Sequence, residues 1–143
     1  MNQTTLPEAT SEARRTALPV VRAFFDAMAK RDLNTVASLF SDDATWNHRN
    51  QDRWAGVHQG RRAILDFIGE SVQLTGGTLR PVPLAFLPDG DRLVAVLVRL
   101  EGSRPDGRSS NDMQMVLYAV DDGRISAVDH FVGDPAAITA FWA

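Results

Sequence analysis

The chain has 143 residues, 44% of them hydrophobic and 23% charged, which fits one globular domain with a real core and excludes disordered, coiled-coil and collagen-like classes. A net charge of −3 argues against a nucleic-acid partner, which selects a basic face, and no run of like charge is long enough for an interaction tail. Cysteine is absent, which excludes disulfides, thiol nucleophiles and thiolate metal sites and fits a cytoplasmic protein.

Residues 1–15, MNQTTLPEATSEARR, lack the apolar core of an export signal and are expected to form a flexible tail ahead of a single domain over 16–143. No apolar stretch approaches the ~18 residues needed to cross a bilayer, so no membrane role is expected. In LPVVRAFFDAMAKRD, Val21, Phe24, Phe25 and Met28 recur at helical spacing, with Pro19 suited to the first turn. Asp32 can cap a second short helix carrying Leu33, Val36, Ala37 and Phe40 on one face. ATWNH (44–48) predicts a short strand, and polar, glycine-containing 49–59 a loop that could cover a cavity mouth with Trp54 and His58. After Gly60, Ile64, Leu65, Phe67 and Ile68 mark a third helix, ended by Gly76–Gly77.

The period then changes. Two prolines in TLRPVPLAF (78–86) assign it to a sheet edge, while RLVAVLVRLE (92–101) is apolar on both faces and reads as a central strand. DMQMVLYAV (112–120) and RISAVDHFV (124–132) follow, joined by the hairpin signal Asp122–Gly123. Asp134 and Pro135 cap and start a terminal helix. Helices followed by an antiparallel run of strands define an α+β layer architecture.

The stretches FFDAMAKRDLNTVASLFSDDATW, GRRAILDF and PDGRSSNDMQMVLYAVDDGRISAVDHF resemble the NTF2-like superfamily, and within it the SnoaL-like group of polyketide cyclases, ketosteroid isomerases and limonene-epoxide-hydrolase-like enzymes. The resemblance covers roughly residues 16–142 and implies a cone: a curved, mostly antiparallel sheet wrapped around the N-terminal helices, enclosing an apolar pocket. It also implies a homodimer formed through the outer sheet face.

Adjacent strand residues point to opposite faces, so only one of Asp129 and His130 can enter the pocket. The resemblance puts His130 where epoxide hydrolases and cyclases carry a working aspartate, which leaves Asp129 on the other face. It puts His48 near the isomerases' catalytic aspartate, Arg99 near the epoxide hydrolases' second carboxylate, and Met115 where the isomerases keep a protonated aspartate. None of those acidic sets is intact in this chain.

Histidine titrates near neutrality, so His130 is expected as the principal acid or base, with His48 as its complement and Arg99 as an anion stabiliser. The alternative for Arg99 is an ion pair with Glu101, two residues on along the same face. Phe24, Trp46, Leu97, Met113, Met115, Leu117 and Val128 are expected to line the substrate pocket. Asp129 and Glu101 are the second choice as catalytic groups. Two histidines with Glu101 would meet a minimal ligand count, but no H-x-H or H-x-x-x-H spacing appears and no metal is expected. No phosphate-cradling or nucleophile-elbow motif is present, and no organic cofactor is expected.

The expected function is general acid–base chemistry on a hydrophobic, polyketide-like substrate, by cyclization or isomerisation in secondary metabolism. Epoxide opening is the alternative enzymatic reading, weakened because His130, Arg99 and Leu97 replace the epoxide hydrolases' set. A non-catalytic ligand-binding or dimerisation module is the alternative of a different class.

Overall fold

Helix α1 (Thr5–Ala29) lays Val21, Phe24, Phe25 and Met28 against the inside of a sheet, because their spacing gathers them into one apolar stripe. The computed structural model describes residues 5–143, with side chains from residue 17 onward, so every side chain of the tail expected over 1–15 lies outside the described ones. Pro19, expected in a first turn, sits inside α1. Asp32 caps α2 (Leu33–Ser38) by accepting the Thr35 amide at 3.1 Å. Phe40, expected on the last turn of that helix, instead opens β1 (Phe40–Arg49).

The second half of the expected 49–59 loop is a strand, β2 (Gly56–Gln59), antiparallel to β1. Its side chains are largely exposed at the sheet edge, so no apolar alternation marks it. Helix α3 (Arg61–Leu74) follows, and the chain leaves it through Gly76 and Gly77, at φ 59° and 79°. Then come β3 (Arg80–Asp89), β4 (Leu93–Ser103), β5 (Ser109–Asp121), β6 (Arg124–Phe131) and α4 (Pro135–Trp142), the last capped by Asp134.

The strands form one open, curved sheet in the order β2-β1-β6-β5-β4-β3, antiparallel throughout except for the parallel pair β1–β6. The proline-bearing β3 is an edge, as its missing amide donors require. Helices on the concave side complete an α+β fold. No helix among the described residues is long and apolar enough to cross a membrane.

The register of β5 against β6 decides which residues face inward. Asp122 and Gly123 both take positive φ, 50° and 77°, as a tight two-residue hairpin needs. The turn pairs Asp121 with Arg124 and Val120 with Ile125, a register that, continued unbroken, would set Met115 opposite His130. Ser126 interrupts it as a one-residue bulge, so Ala119 pairs with Ala127 and Val116 with His130. The Ser126 hydroxyl donates to Asp121 at 2.6 Å, tying the bulge to the turn.

One extra residue thereby turns Val128 and His130 inward on β6, beside the face of β5 whose alternation runs unbroken from Val120 through Tyr118 and Val116 to Gln114; Met113, Met115 and Leu117 face outward, at 46%, 39% and 37% exposure. The pairing of β4 with β5 carries this alternation onward: Leu97 lies opposite Met115 and Arg99 opposite Met113, on the outer face.

Candidate functional site

Trp46 and His48 on β1 lie in register beside Val128 and His130 on β6, so the parallel pair turns two imidazoles toward the same interior. There they open onto an apolar cavity of about 70 Å3, whose walls include Phe24, Met28, Phe67, Val116 and Tyr118, with Trp54 and Trp142 also in the lining. That is room for about five water molecules, far below the ~300–1,000 Å3 of a pocket for a drug-sized ligand. The polar groups of the wall come chiefly from His48, Gln114, Tyr118 and His130; no lysine or arginine is among them.

The histidines are held by donors and acceptors whose chemistry fixes their protons. Trp46 Nε1 can only donate, and it does so to His130 Nδ1 at 3.2 Å, so that nitrogen is bare. The proton of neutral His130 is therefore on Nε2, which donates to Gln114 Oε1 at 2.6 Å. Burial, reinforced by the charge that His48 can carry, pushes the His130 imidazolium down to about 3, so the ring is neutral across the physiological range.

His48 Nε2 lies 2.9 Å from Asp52 Oδ2, both side chains being almost wholly buried. Burial pushes the Asp52 carboxyl up, but hydrogen bonds from His48, the Asn50 amide at 2.7 Å and the Trp54 backbone at 2.8 Å outweigh it and hold the group below its ordinary range. The ionised carboxylate can only accept, so His48 donates through Nε2 and its Nδ1 is bare in the neutral ring. The two bare Nδ1 atoms face each other at 3.4 Å.

The pocket thus takes His130, His48, Trp46 and Phe24 of the expected set. Val128 is buried between Trp46 and Tyr118 in the sheet but does not line the cavity. Five expected groups are corrected: Met113, Met115 and Leu117 lie on the outer face of β5, opposite the one that holds Gln114, Val116 and Tyr118, and Arg99 and Leu97 lie beside them on β4. Arg99 pairs there with Glu101 at 2.8 Å, so neither reaches the cavity. Asp129 also faces outward, held by both nitrogens of an Arg49 fork that lies over the Phe131 ring.

Asp52 and Gln114 were missing from the expected set. Asp52 lies four residues after His48 in a loop, where no periodicity reports direction; its one signal is a carboxylate that caps its own turn through the Trp54 amide. Gln114 shares the inward face of β5 with Val116, Tyr118 and Val120, but as a polar residue at the end of an apolar row it carries no signal of its own. Trp54 is not a free loop side chain: it is buried against Phe67 and Trp142, with ring centroids at 5.2 and 5.6 Å, and its indole nitrogen has no partner. His58 stacks on Phe67 outside the cavity and donates to the Trp54 carbonyl at 2.8 Å. Among the described residues, no three histidine or acidic side chains stand together as a metal-binding group.

An uncharacterized protein of Mycobacterium tuberculosis is 30% identical over 126 residues, covering 88% of this chain and 95% of its own. Bal32a, from a soil-derived mobile gene cassette, superposes with a TM-score of 0.87 at 27% identity, over 92% of this chain and 99% of its own. A proposed polyketide cyclase from Sinorhizobium meliloti shares the fold at a TM-score of 0.65 and 23% identity, over 78% and 93% of the two chains. The profile of the SnoaL-like domain matches residues 21–128, most of the chain, and the protein belongs to that family, within the NTF2-like fold.

Proposed function

We propose that the protein is an enzyme that removes and returns a proton on a small, neutral, hydrophobic molecule, with His48 as the base and Asp52 as its partner. The observation that carries this reading is the pair of bare Nδ1 atoms converging on an apolar cavity while both Nε2 protons are bound behind them. His130 Nδ1 already accepts the Trp46 N–H, so the lone pair left for an acidic hydrogen of a ligand is that of His48 Nδ1. The matching ligand is a weak acid: an enol, a phenol, or a carbon acid next to a carbonyl.

The roles expected of the two histidines are exchanged here. His130 has a partner on each nitrogen and resists protonation, so it serves as a fixed acceptor. When His48 takes the proton, the imidazolium is bonded to Asp52 behind and faces the His130 lone pair in front. Burial keeps the Tyr118 phenol protonated, so its hydroxyl is the donor available to an enolate oxygen; no guanidinium serves. Return of the proton to a different carbon is isomerisation, and attack of the enolate on a second carbonyl is cyclization.

A neighbour from Mycobacterium tuberculosis was solved with estradiol-17β-hemisuccinate and another, TerC, with polyporic acid, which supports a hydrophobic ligand for this cavity too. A ligand of that size requires the cavity to widen. The exposed Met113, Met115 and Leu117 support a homodimer through the outer sheet face. The test is conversion of cyclohex-3-enone to its conjugated isomer, followed by ultraviolet absorbance. Catalysis above buffer is the expected result, and its absence for this and related β,γ-enones sinks the reading. Epoxide opening is separated from it by labelled water, since hydrolysis leaves solvent oxygen in the product.

A further inference from the structure

His130 can present a bare Nδ1 to the site only if its proton stays on Nε2, and a chain of contacts leading away from the cavity bears on that. At the turn from β6 into α4, the backbone amides of Gly133 and Asp134 donate to the Asp112 carboxylate at 3.0 and 2.9 Å. The turn can approach this closely because residue 133 is glycine: a Cβ there would lie 2.0 Å from the Met113 carbonyl oxygen. Asp112 Oδ2 also accepts from Gln114 Nε2 at 3.1 Å.

A carboxylate has no hydrogen to give, so it fixes which end of the Gln114 amide faces it. The nitrogen turns to Asp112, and Oε1 is left facing His130 Nε2 at 2.6 Å. We propose that Asp112 and Gln114 are positioning residues that lock His130 in its Nε2–H tautomer, so that its acceptor nitrogen faces His48 and the ligand. Trp46 imposes the same tautomer from β1, so two strands constrain one proton independently.

The lock has a chemical consequence. Were the amide reversed, its NH2 would meet His130 Nε2, the ring proton would move to Nδ1, and Trp46 would oppose it donor to donor. Neither Asp112 nor Gln114 then needs to touch the reacting carbon to affect the reaction. Gln114 does so through His130, and Asp112 through Gln114. The titratable groups around the ring are His48 with Asp52 behind it, Tyr118, and Asp112 behind Gln114.

The inference rests on the reading of the histidine pair as the working centre, but its test needs no substrate. Long-range proton–nitrogen correlation spectra of 15N-labelled protein report which ring nitrogen of His130 is protonated. In the wild-type chain the expected result is one protonated nitrogen, Nε2. In Gln114→Glu the acceptor is kept and made anionic, so the tautomer persists and the titration midpoint of His130 rises by about one to three pH units. In Trp46→Phe, Gln114 alone holds the ring and the single Nε2–H signal persists; in Trp46→Phe combined with Gln114→Leu both constraints are gone, and a mixture of tautomers appears. A wild-type His130 protonated on Nδ1, an unmoved midpoint in Gln114→Glu, a mixture of tautomers in Trp46→Phe alone, or an unchanged tautomer in the double variant overturns the proposal. An intact lock in a protein without isomerase activity would sink the functional reading alone.

Discussion

His48 and His130 occupy paired positions on the parallel strands β1 and β6, and their rings meet edge to face, with centroids 4.9 Å apart and bare Nδ1 atoms 3.4 Å apart. Each ring is anchored through Nε2 to a different acceptor, an ionised carboxylate for His48 and a neutral amide for His130. The difference gives the two imidazoles different surroundings: His48 has a carboxylate behind it, whereas His130 has an amide, and burial in the apolar wall keeps His130 neutral.

Asp52→Asn keeps the shape of the side chain but removes the carboxylate charge that stands 2.9 Å behind His48 Nε2. The expected loss in kcat is about 10²–10⁴-fold, the ordinary scale for a positioned acid–base group. Steady-state kinetics on any turned-over substrate check it. An unchanged kcat would show that Asp52 serves the loop alone.

Stability depends on pH through His130, whose protonation midpoint falls from 6.5 to about 3 on folding. Between those values the unfolded chain binds the proton and the folded chain does not, so stability falls as pH drops from about 6.5 toward about 3. The integrated loss is roughly 3–5 kcal/mol, read as a shift in urea midpoint. His130→Gln should flatten that slope, and an unaltered slope would assign it elsewhere. The lowered midpoint of Asp52 adds in the same sense, with stability present above the ordinary carboxylate range and lost at still lower pH.

The Ser126 bulge sets the inner face of β6 beyond the turn: Ile125 is buried before it, and Val128 and His130 after it. Deleting Ser126 removes the extra residue and keeps Ala127 opposite Ala119 and His130 opposite Val116, so a cooperatively folding protein is expected. Ser126→Ala, which loses only the hydroxyl bonds to Asp121 and the Ala119 carbonyl, should cost about 1 kcal/mol. Thermal unfolding of the two variants checks both outcomes. A deletion variant that fails to fold cooperatively would contradict this account of the register.

Much of the fold was legible because local chemistry and global structure agree. The stripe Val21, Phe24, Phe25 and Met28, the caps Asp32 and Asp134, and the turn Asp122–Gly123 each specify an element by short-range rules, and each element is found. Strand alternation allowed only one of Asp129 and His130 inward, and the resemblance chose His130, which the Ser126 bulge delivers. The same resemblance placed Arg99 and Met115 inside, and Met113 and Leu117 were expected there for their apolar side chains, yet the inner face of β5 is the one that holds Gln114, Val116 and Tyr118. Asp52 stayed hidden for a different reason, since a loop carboxylate reaches its partner through a turn and not through a period.

An exposed apolar strip of Met113, Met115 and Leu117 on the outer sheet face is expected to pair with a second copy of the chain. Met115→Glu places a charge in the middle of that strip while leaving the cavity side untouched. Sedimentation velocity should show a dimer for the wild-type chain and a monomer for the variant. A monomeric wild-type chain would remove the interface from the account.

The most direct test of the central claim is hydrogen exchange at the α-carbon of small cyclic ketones in heavy water, measured by proton NMR for the wild-type chain and for His48→Gln. The account predicts exchange well above the buffer rate with the wild-type chain and a fall of about 10²-fold or more in the variant. No exchange by the wild-type chain, or an undiminished rate in His48→Gln, would contradict it.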